Sequence, residues 1–266
     1  MEDTLISHLD LAIISKRMYE EDPKCHKLIK GRKGGKCGIA IIKDDTQDSY
    51  SLVVAFEGSK DPIDFVIDAC SWKATMSGFM AAPNHAQKVH AGFLAAWEGL
   101  RAQVITYVMS AMDKDPKIVD VVFTGHSLGG AMAVLAAYDF NMMSENAKIA
   151  GPVESSFLFR ARRHLVTFGC PKVFKDNGSP NQFDDFVTTS GISVGNIKFR
   201  VEQYSYREDP VTTYPRLKYR HVVSVRRIGD WTLTRIDNEH RSIKNHDINN
   251  YISSLKLAEI LSTDAA

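Results

Sequence analysis

The sequence predicts an α/β fold, and three observations carry that expectation. The run Val119–Thr124 reads as a buried strand and the Ala-, Leu- and Met-rich run from Gly130 onward as a helix, so the two meet at one sharp turn. Further short apolar runs, Ile39–Ile42, Leu52–Phe56, Leu165–Phe168 and Ile197–Val201, are interleaved with segments of helical periodicity. The length, 266 residues, suits one undivided domain (1–266) with a sizeable core.

Composition narrows the partners. Lys and Arg number 33 against 32 Asp and Glu, so no global charge favours nucleic acid or an acidic ligand. The N-terminal Met-Glu-Asp-Thr lacks a basic leader region, no apolar run approaches a membrane span, and the C-terminus carries no lipidation motif. Cys25, Cys37, Cys70 and Cys170 form no C-x-x-C pair and suit free buried thiols, although a Cys25–Cys37 bridge stays open. An intracellular, cytoplasmic location is the expectation. No internal repeat, zinc-ligand spacing or dinucleotide fingerprint appears, so neither metal nor organic cofactor is expected.

Taken in order, Asp3 or Thr4 caps a helix with Leu5, Leu9, Ala12 and Ile13 at helical spacing, ending by Asp22-Pro23. The basic, Gly-rich Lys30–Lys36 lacks P-loop spacing and reads as solvated loop. Ile39–Ile42 and Leu52–Phe56 read as a hairpin, followed by Phe56-Glu57-Gly58-Ser59. Asp61-Pro62 starts a short segment whose Ile63, Phe65, Val66 and Ile67 are unusually apolar. From Val89 a helix runs to Asp115-Pro116 with Phe93, Trp97, Leu100, Val104 and Val108 on its core stripe.

Gly125-His126-Ser127-Leu128-Gly129 occupies the strand-to-helix turn. A turn this tight crowds the backbone around the serine, and glycines two residues either side relieve it. Such a turn lifts Ser127 Oγ above the sheet edge and aims the Leu128 N–H and the helix N-terminus where a negative oxygen would form. A loop after an early strand commonly supplies a second such N–H, here Ser59, although Gly58-Ser59 reads equally well as a plain turn.

Beyond the elbow helix, 141–156 reads as polar loop and Arg160–His164 as a solvated basic face, with an anionic lipid contact as the minority reading. Residues 174–196 read as loop with at most one short helix. Asp209-Pro210 follows a late strand, where the chain order Ser…Asp…His needs its acid; the same pair also builds simple turns. Val222–Arg227 and Trp231–Ile236 frame a turn at Gly229-Asp230. The late histidines His240 and His246 are rival candidates for the base.

Gly125–Ala131 resembles the nucleophile elbow of the class 3 lipases, the fungal-lipase-like branch of the α/β-hydrolases. Val89-His-Ala-Gly-Phe93, Gly169-Cys-Pro171, Asp209-Pro-Val211, Tyr219-Arg-His221 and the stretch from Lys244 to Ile252 match further family motifs in the same order. The resemblance covers about residues 12–252. It implies an α/β-hydrolase fold with a central, mostly parallel sheet and helices on both faces. It also implies a triad of Ser127, Asp209 and His246, an oxyanion pair of Ser59 and Leu128, structural roles for His90 and His221, and a lid near residues 61–68. The lid position reads equally as an amphipathic helix on the sheet. At Phe56-Glu57-Gly58-Ser59 the chain departs from the family's Phe-Arg-Gly-Thr/Ser, because Glu57 replaces the arginine. The secreted fungal members carry signal segments and disulfides, so this chain resembles an intracellular variant.

The function expected is a serine carboxylester hydrolase acting on acylglycerols or related lipid esters through an acyl-enzyme. Its partners would be a lipid ester and peripheral contact with a lipid surface. The alternatives are a catalytically silent lipase-like binding module, or the same triad turned on thioesters or feruloyl-type esters.

Overall fold

Strands that read as continuous apolar runs need cover on both faces, and the fold supplies it. The computed structural model describes residues 6–31, 35–44, 46–60, 73–76, 87–149, 161–175, 193–194, 197–215, 219–222, 225–229 and 243–263. Its first half comprises α1 (His8–Arg17), β1 (Lys27–Lys30), β2 (Lys36–Asp44), β3 (Ser49–Phe56), β4 (Lys73–Met76), β5 (Gln87–His90), α2 (Ala91–Glu98) and α3 (Arg101–Lys114). The elbow follows as β6 (Ile118–His126) and α4 (Leu128–Ile149). Then come β7 (Arg162–Phe168), β8 (Phe174–Lys175), β9 (Ser193–Val194), β10 (Ile197–Tyr206), β11 (Tyr219–Arg220), β12 (Arg226–Ile228) and α5 (Ile248–Thr263). Single 3-10 turns span Pro210–Thr213 and Ile243–His246.

The main sheet runs β1-β2-β3-β6-β7-β10-β12. The β1–β2 and β2–β3 pairs are antiparallel, while β3, β6, β7, β10 and β12 lie parallel, with β9 pairing antiparallel at the start of β10. The expected mostly parallel sheet is therefore present. One face is covered by α2, α3 and α4, where Trp97, Val104, Val108, Met112 and Tyr138 are buried over Leu52, Val54 and Phe123. On the other, Leu11 and Ala12 of α1 and Tyr251 and Leu255 of α5 bury Val53, Val122, Val166 and Phe168. A small antiparallel sheet, β11-β8-β5-β4, lies beside it.

Several local expectations change. Within the described residues α1 is capped by Ser7, whose side chain accepts from the Asp10 N–H; Asp3 and Thr4 lie outside them. The helix expected from Val89 to Asp115 is two helices parted at Gly99-Leu100, yet its stripe from Phe93 to Val108 is buried as expected. The polar loop expected at 141–156 is a correction: α4 continues to Ile149, because Met142 and Met143 still bury against the core and the residues after them suit a helix.

The basic run is the larger correction. Arg163 and His164 are buried on β7, and Arg162 bonds Asp120. A buried carboxylate on the neighbouring strand turns an apparently solvated face into an internal ion pair. Lys36 of the Gly-rich loop is likewise buried. Phe174–Lys175 pairs as a strand where loop was expected, and β10 runs five residues past Val201. Of the expected terminal hairpin, β12 pairs parallel with β10, and Asp230 and Trp231–Ile236 lie outside the described residues. So do Cys70, His240 and the lid candidates Ile63, Phe65, Val66 and Ile67. Cys25, Cys37 and Cys170 are free thiols. Among the described residues no helix is long and apolar enough to cross a membrane.

Candidate active site

The site forms where β6, β7 and β10 end. At the carboxyl end of β6 the chain turns into α4 through Ser127, which has φ +58°, a left-handed conformation costly for any residue with a side chain. Its N–H donates to the Phe168 carbonyl at 3.0 Å, tying the turn to the end of β7. The turn is as tight as the glycine pattern predicts: a Cβ at Gly125 would meet the Gly130 nitrogen at 2.8 Å and the Gly129 backbone closer still. A Cβ at Gly129 would strike the backbone of Phe56 and Glu57, so the loop that carries Ser59 lies directly over the first turn of α4.

The acid and base arrive from the other end of the chain. Asp209 caps the 3-10 turn beyond β10 and is completely buried. Its Oδ1 accepts the Val211 N–H at 2.8 Å; its Oδ2 accepts from His246 Nδ1 at 2.7 Å and from the Tyr251 hydroxyl at 2.5 Å. An ionised carboxylate only accepts, so Nδ1 of His246 carries the proton and Nε2 presents its lone pair. That Nε2 is buried and has no hydrogen-bond partner among the described residues, so the bond to Ser127 is not closed here. Catalytic hydrogen bonds of this kind often tighten only when substrate is bound.

Two contacts bring His246 beside the elbow. Its ring lies 4.5 Å, centroid to centroid, from that of His126, the residue before Ser127. Gly169, one residue past the carbonyl that holds the Ser127 N–H, sits against both Asp209 and His246; a Cβ there would come within 2.9 Å of each.

Leu128 opens α4, and Leu128 and Ser59 line one cavity of about 410 Å³ together with Glu57, Gly58 and Met132. Ser59 also lines a second cavity of about 280 Å³ shared with Tyr19, His126, Ile243 and His246. Ser59 thus borders both cavities, with Leu128 lining the first and the proposed base lining the second. A cleft of about 410 Å³ between α1 and β2 contains none of them.

Glu57, the departure from the family arginine, is not a bare charge. Lys36 Nζ lies 3.2 Å from its carboxylate and also donates to the Glu20 carbonyl at 2.5 Å. His221 and His90, for which structural roles were expected, sit in other settings. His221 Nε2 donates to the Thr212 carbonyl at 2.6 Å, bracing the turn capped by Asp209, and burial pushes its pKa down to about 4. His90 is buried against Phe93 and Tyr219. Among the described residues no group of His, Cys, Asp and Glu is arranged to hold a metal ion.

Sequence reasoning passed over Tyr251 and Tyr19. Tyr251 lies five residues after His246, but nothing in that spacing says its hydroxyl reaches Asp209. Burial and the Asp209 charge hold the phenol well above its ordinary range, so it stays a donor.

A family model for Lipase (class 3) matches residues 53–219. The phospholipase A1-Igamma2, chloroplastic, of Arabidopsis thaliana is 27% identical over 155 residues, covering 51% of this chain and 28% of its own. The secreted mono- and diacylglycerol lipase 1 of Fusarium solani is 34% identical over 135 residues, covering 50% of this chain and 32% of its own. The chain therefore spans about a third or less of the lengths of these two relatives. A solved triacylglycerol lipase whose catalytic centre is a serine protease triad superposes with a TM-score of 0.62 at 20% identity, covering 90% of this chain and 91% of that one, a likeness of fold.

Proposed function

The chain belongs to the class 3 lipase family, and from that premise we propose that it is a serine carboxylester hydrolase acting on acylglycerols or related lipid esters. One observation carries the reading. Asp209 holds His246 in the tautomer whose Nε2 is open, beside a serine raised on a left-handed turn.

The chemistry follows from what an ester needs. Neutral serine is a weak nucleophile, so His246 Nε2 takes the Ser127 proton as Oγ attacks the carbonyl carbon. The imidazolium that forms is stabilised by the Asp209 carboxylate, whose other partners, Tyr251 and Val211 N–H, are neutral. The oxyanion settles on the N–H groups of Leu128 and Ser59, each worth roughly 3–4 kcal/mol in known cases. Collapse expels the alcohol, which receives the proton from His246, and water releases the acyl group by the same route. Pairing of Glu57 with Lys36 supports this reading over a silent binding module, since the oxyanion does not face an unbalanced carboxylate.

The relatives' names, a phospholipase A1 and a mono- and diacylglycerol lipase, support a glycerolipid substrate. Residues 61–68 remain part of the proposal as a lid: Ile63, Phe65, Val66 and Ile67 would cover an acyl pocket and join a lipid surface on opening. A fluorophosphonate probe tests the assignment. It should label the wild-type chain and leave Ser127→Ala unlabelled, and labelling at another residue overturns it. A panel of p-nitrophenyl esters, triacylglycerol and phospholipid then identifies the substrate.

A further inference from the structure

We infer that Tyr19 and His126 form a positioning pair that holds the base by its own backbone carbonyl. The inference rests on the proposed role of His246. His126 is buried immediately before the nucleophile, and its Nε2 lies 2.7 Å from the His246 carbonyl oxygen. A carbonyl only accepts, so Nε2 carries the hydrogen. Nδ1 lies 2.8 Å from the Tyr19 hydroxyl. In a neutral ring whose Nε2 donates, Nδ1 accepts, so Tyr19 is the donor. The chain of bonds has one direction: Tyr19 to His126, and His126 to the His246 carbonyl.

Its surroundings keep both members in those states. Burial, then the neighbouring His246, holds His126 well below the ordinary histidine range. Burial, with the Glu57 charge adding to it, holds the Tyr19 phenol above its own. A carboxylate at position 57, where the family has an arginine, therefore favours the protonated phenol that must donate. Space for that hydroxyl is also built in. A Cβ at Gly58 would collide with the Tyr19 hydroxyl and come within 2.6 Å of the His126 carbonyl. The residue before the oxyanion candidate Ser59 is thus shaped around this contact.

The chemical use is twofold. His246 gains and loses a proton in each half-reaction, and its ring stays aimed at Ser127 only if its backbone does not swing. Its carbonyl is pinned through His126 to the turn that follows α1, and its Nδ1 to Asp209. The second imidazole, tilted by 30° against the first at 4.5 Å, must also stay uncharged when His246 becomes cationic, which the accepting Nδ1 favours. Tyr19 and His126 act through His246 and need not touch the scissile bond.

Histidine side-chain ¹⁵N NMR on the wild-type protein and steady-state kinetics on Tyr19→Phe test the pair together. His126 should be Nε2-protonated and should stay neutral below the pH at which an ordinary histidine takes up its proton. Tyr19→Phe should lower kcat on a soluble p-nitrophenyl ester roughly ten- to hundredfold, the range a small misalignment of a reacting group produces. KM should stay within about twofold, because uniform substrate binding is untouched. An Nδ1-protonated or cationic His126 in the wild type overturns the inference, as does a folded Tyr19→Phe with full kcat or with its loss carried by KM. A variant that fails to fold leaves the wild-type tautomer as the deciding measurement. A wild-type protein without esterase activity refutes the functional reading instead, and the tautomer still decides whether the brace exists.

Discussion

Strand β6 passes between two buried aspartate–histidine pairs with different electrostatics. Near its amino end Asp120 accepts from His164 at 2.9 Å and from Arg162 through two bonds of 2.7 Å. Beyond its carboxyl end Asp209 accepts from His246 at 2.7 Å, but its remaining donors are the Tyr251 hydroxyl and a backbone N–H. Burial opposes ionisation of Asp120, yet the bonds from His164 and Arg162 still hold its carboxyl below the usual range. Its charge is already matched by a guanidinium. Among the described residues Asp209 has no such cation, so the field of its carboxylate remains available to an imidazolium on His246. Both pairs look alike as distances, and the third partner decides which is structural and which suits catalysis. A third buried aspartate, Asp139, follows the structural pattern, bonded by Trp97 and Arg101.

The comparison breaks most sharply at the bases. His246→Ala and Ser127→Ala should each lower kcat by about 10⁶-fold, whereas His164→Gln, and likewise His221→Ala if folded, should keep kcat within about tenfold of wild type. Measured on a soluble ester, a dead His164 variant beside an active His246 variant would invert the assignment.

Next come the acids. Asp209→Asn should cost about 10⁴ in kcat with little change in KM, because the tautomer of His246 is no longer enforced. Asp120→Asn should instead leave kcat nearly intact and cost roughly 2–3 kcal/mol in urea denaturation, since Arg162 and His164 lose a buried charged acceptor.

Tyr251→Phe sharpens the contrast at the level of one neutral donor. Removing one hydrogen bond to a charged group should lower kcat about tenfold. A kcat unchanged in a folded variant would show that the His246 and Val211 bonds alone hold Asp209.

The smallest effect separates these pairs from histidines that stay neutral. His221, with its pKa lowered from 6.5 to about 4, and His126, also lowered, take up protons only once the chain unfolds. Unfolding is therefore favoured progressively as pH falls below about 6.5, and the share due to His221 levels off near pH 4. Denaturation at stepped pH should show this decline, worth on the order of 3 kcal/mol for His221. His221→Gln should flatten much of it.

By itself the sequence determined what local chemistry and order along the chain can encode. Gly125 to Gly129 announces a strand-to-helix turn because no residue with a Cβ fits at its flanks, and the apolar runs at Leu52–Phe56, Val119–Thr124 and Leu165–Phe168 announce strands covered on both faces. The order Ser127, Asp209, His246 of the proposed triad came from the family resemblance together with position along the chain. Only the tertiary structure decided what depends on partners far apart in the chain. Arg162 and His164 read as a solvated basic run because their charges are visible locally, while Asp120, which buries them, sits 42 and 44 residues away. Glu57 stood out only as a departure from the family's arginine, and its pairing with Lys36 was not visible from position 57. Tyr19 reaches His126 across 107 residues, and Tyr251 reaches Asp209 across 42. Burial makes such polar contacts obligatory, because an unpaired polar group in the interior costs more than its bond returns. Spacing along a chain carries no record of which distant group will meet that obligation.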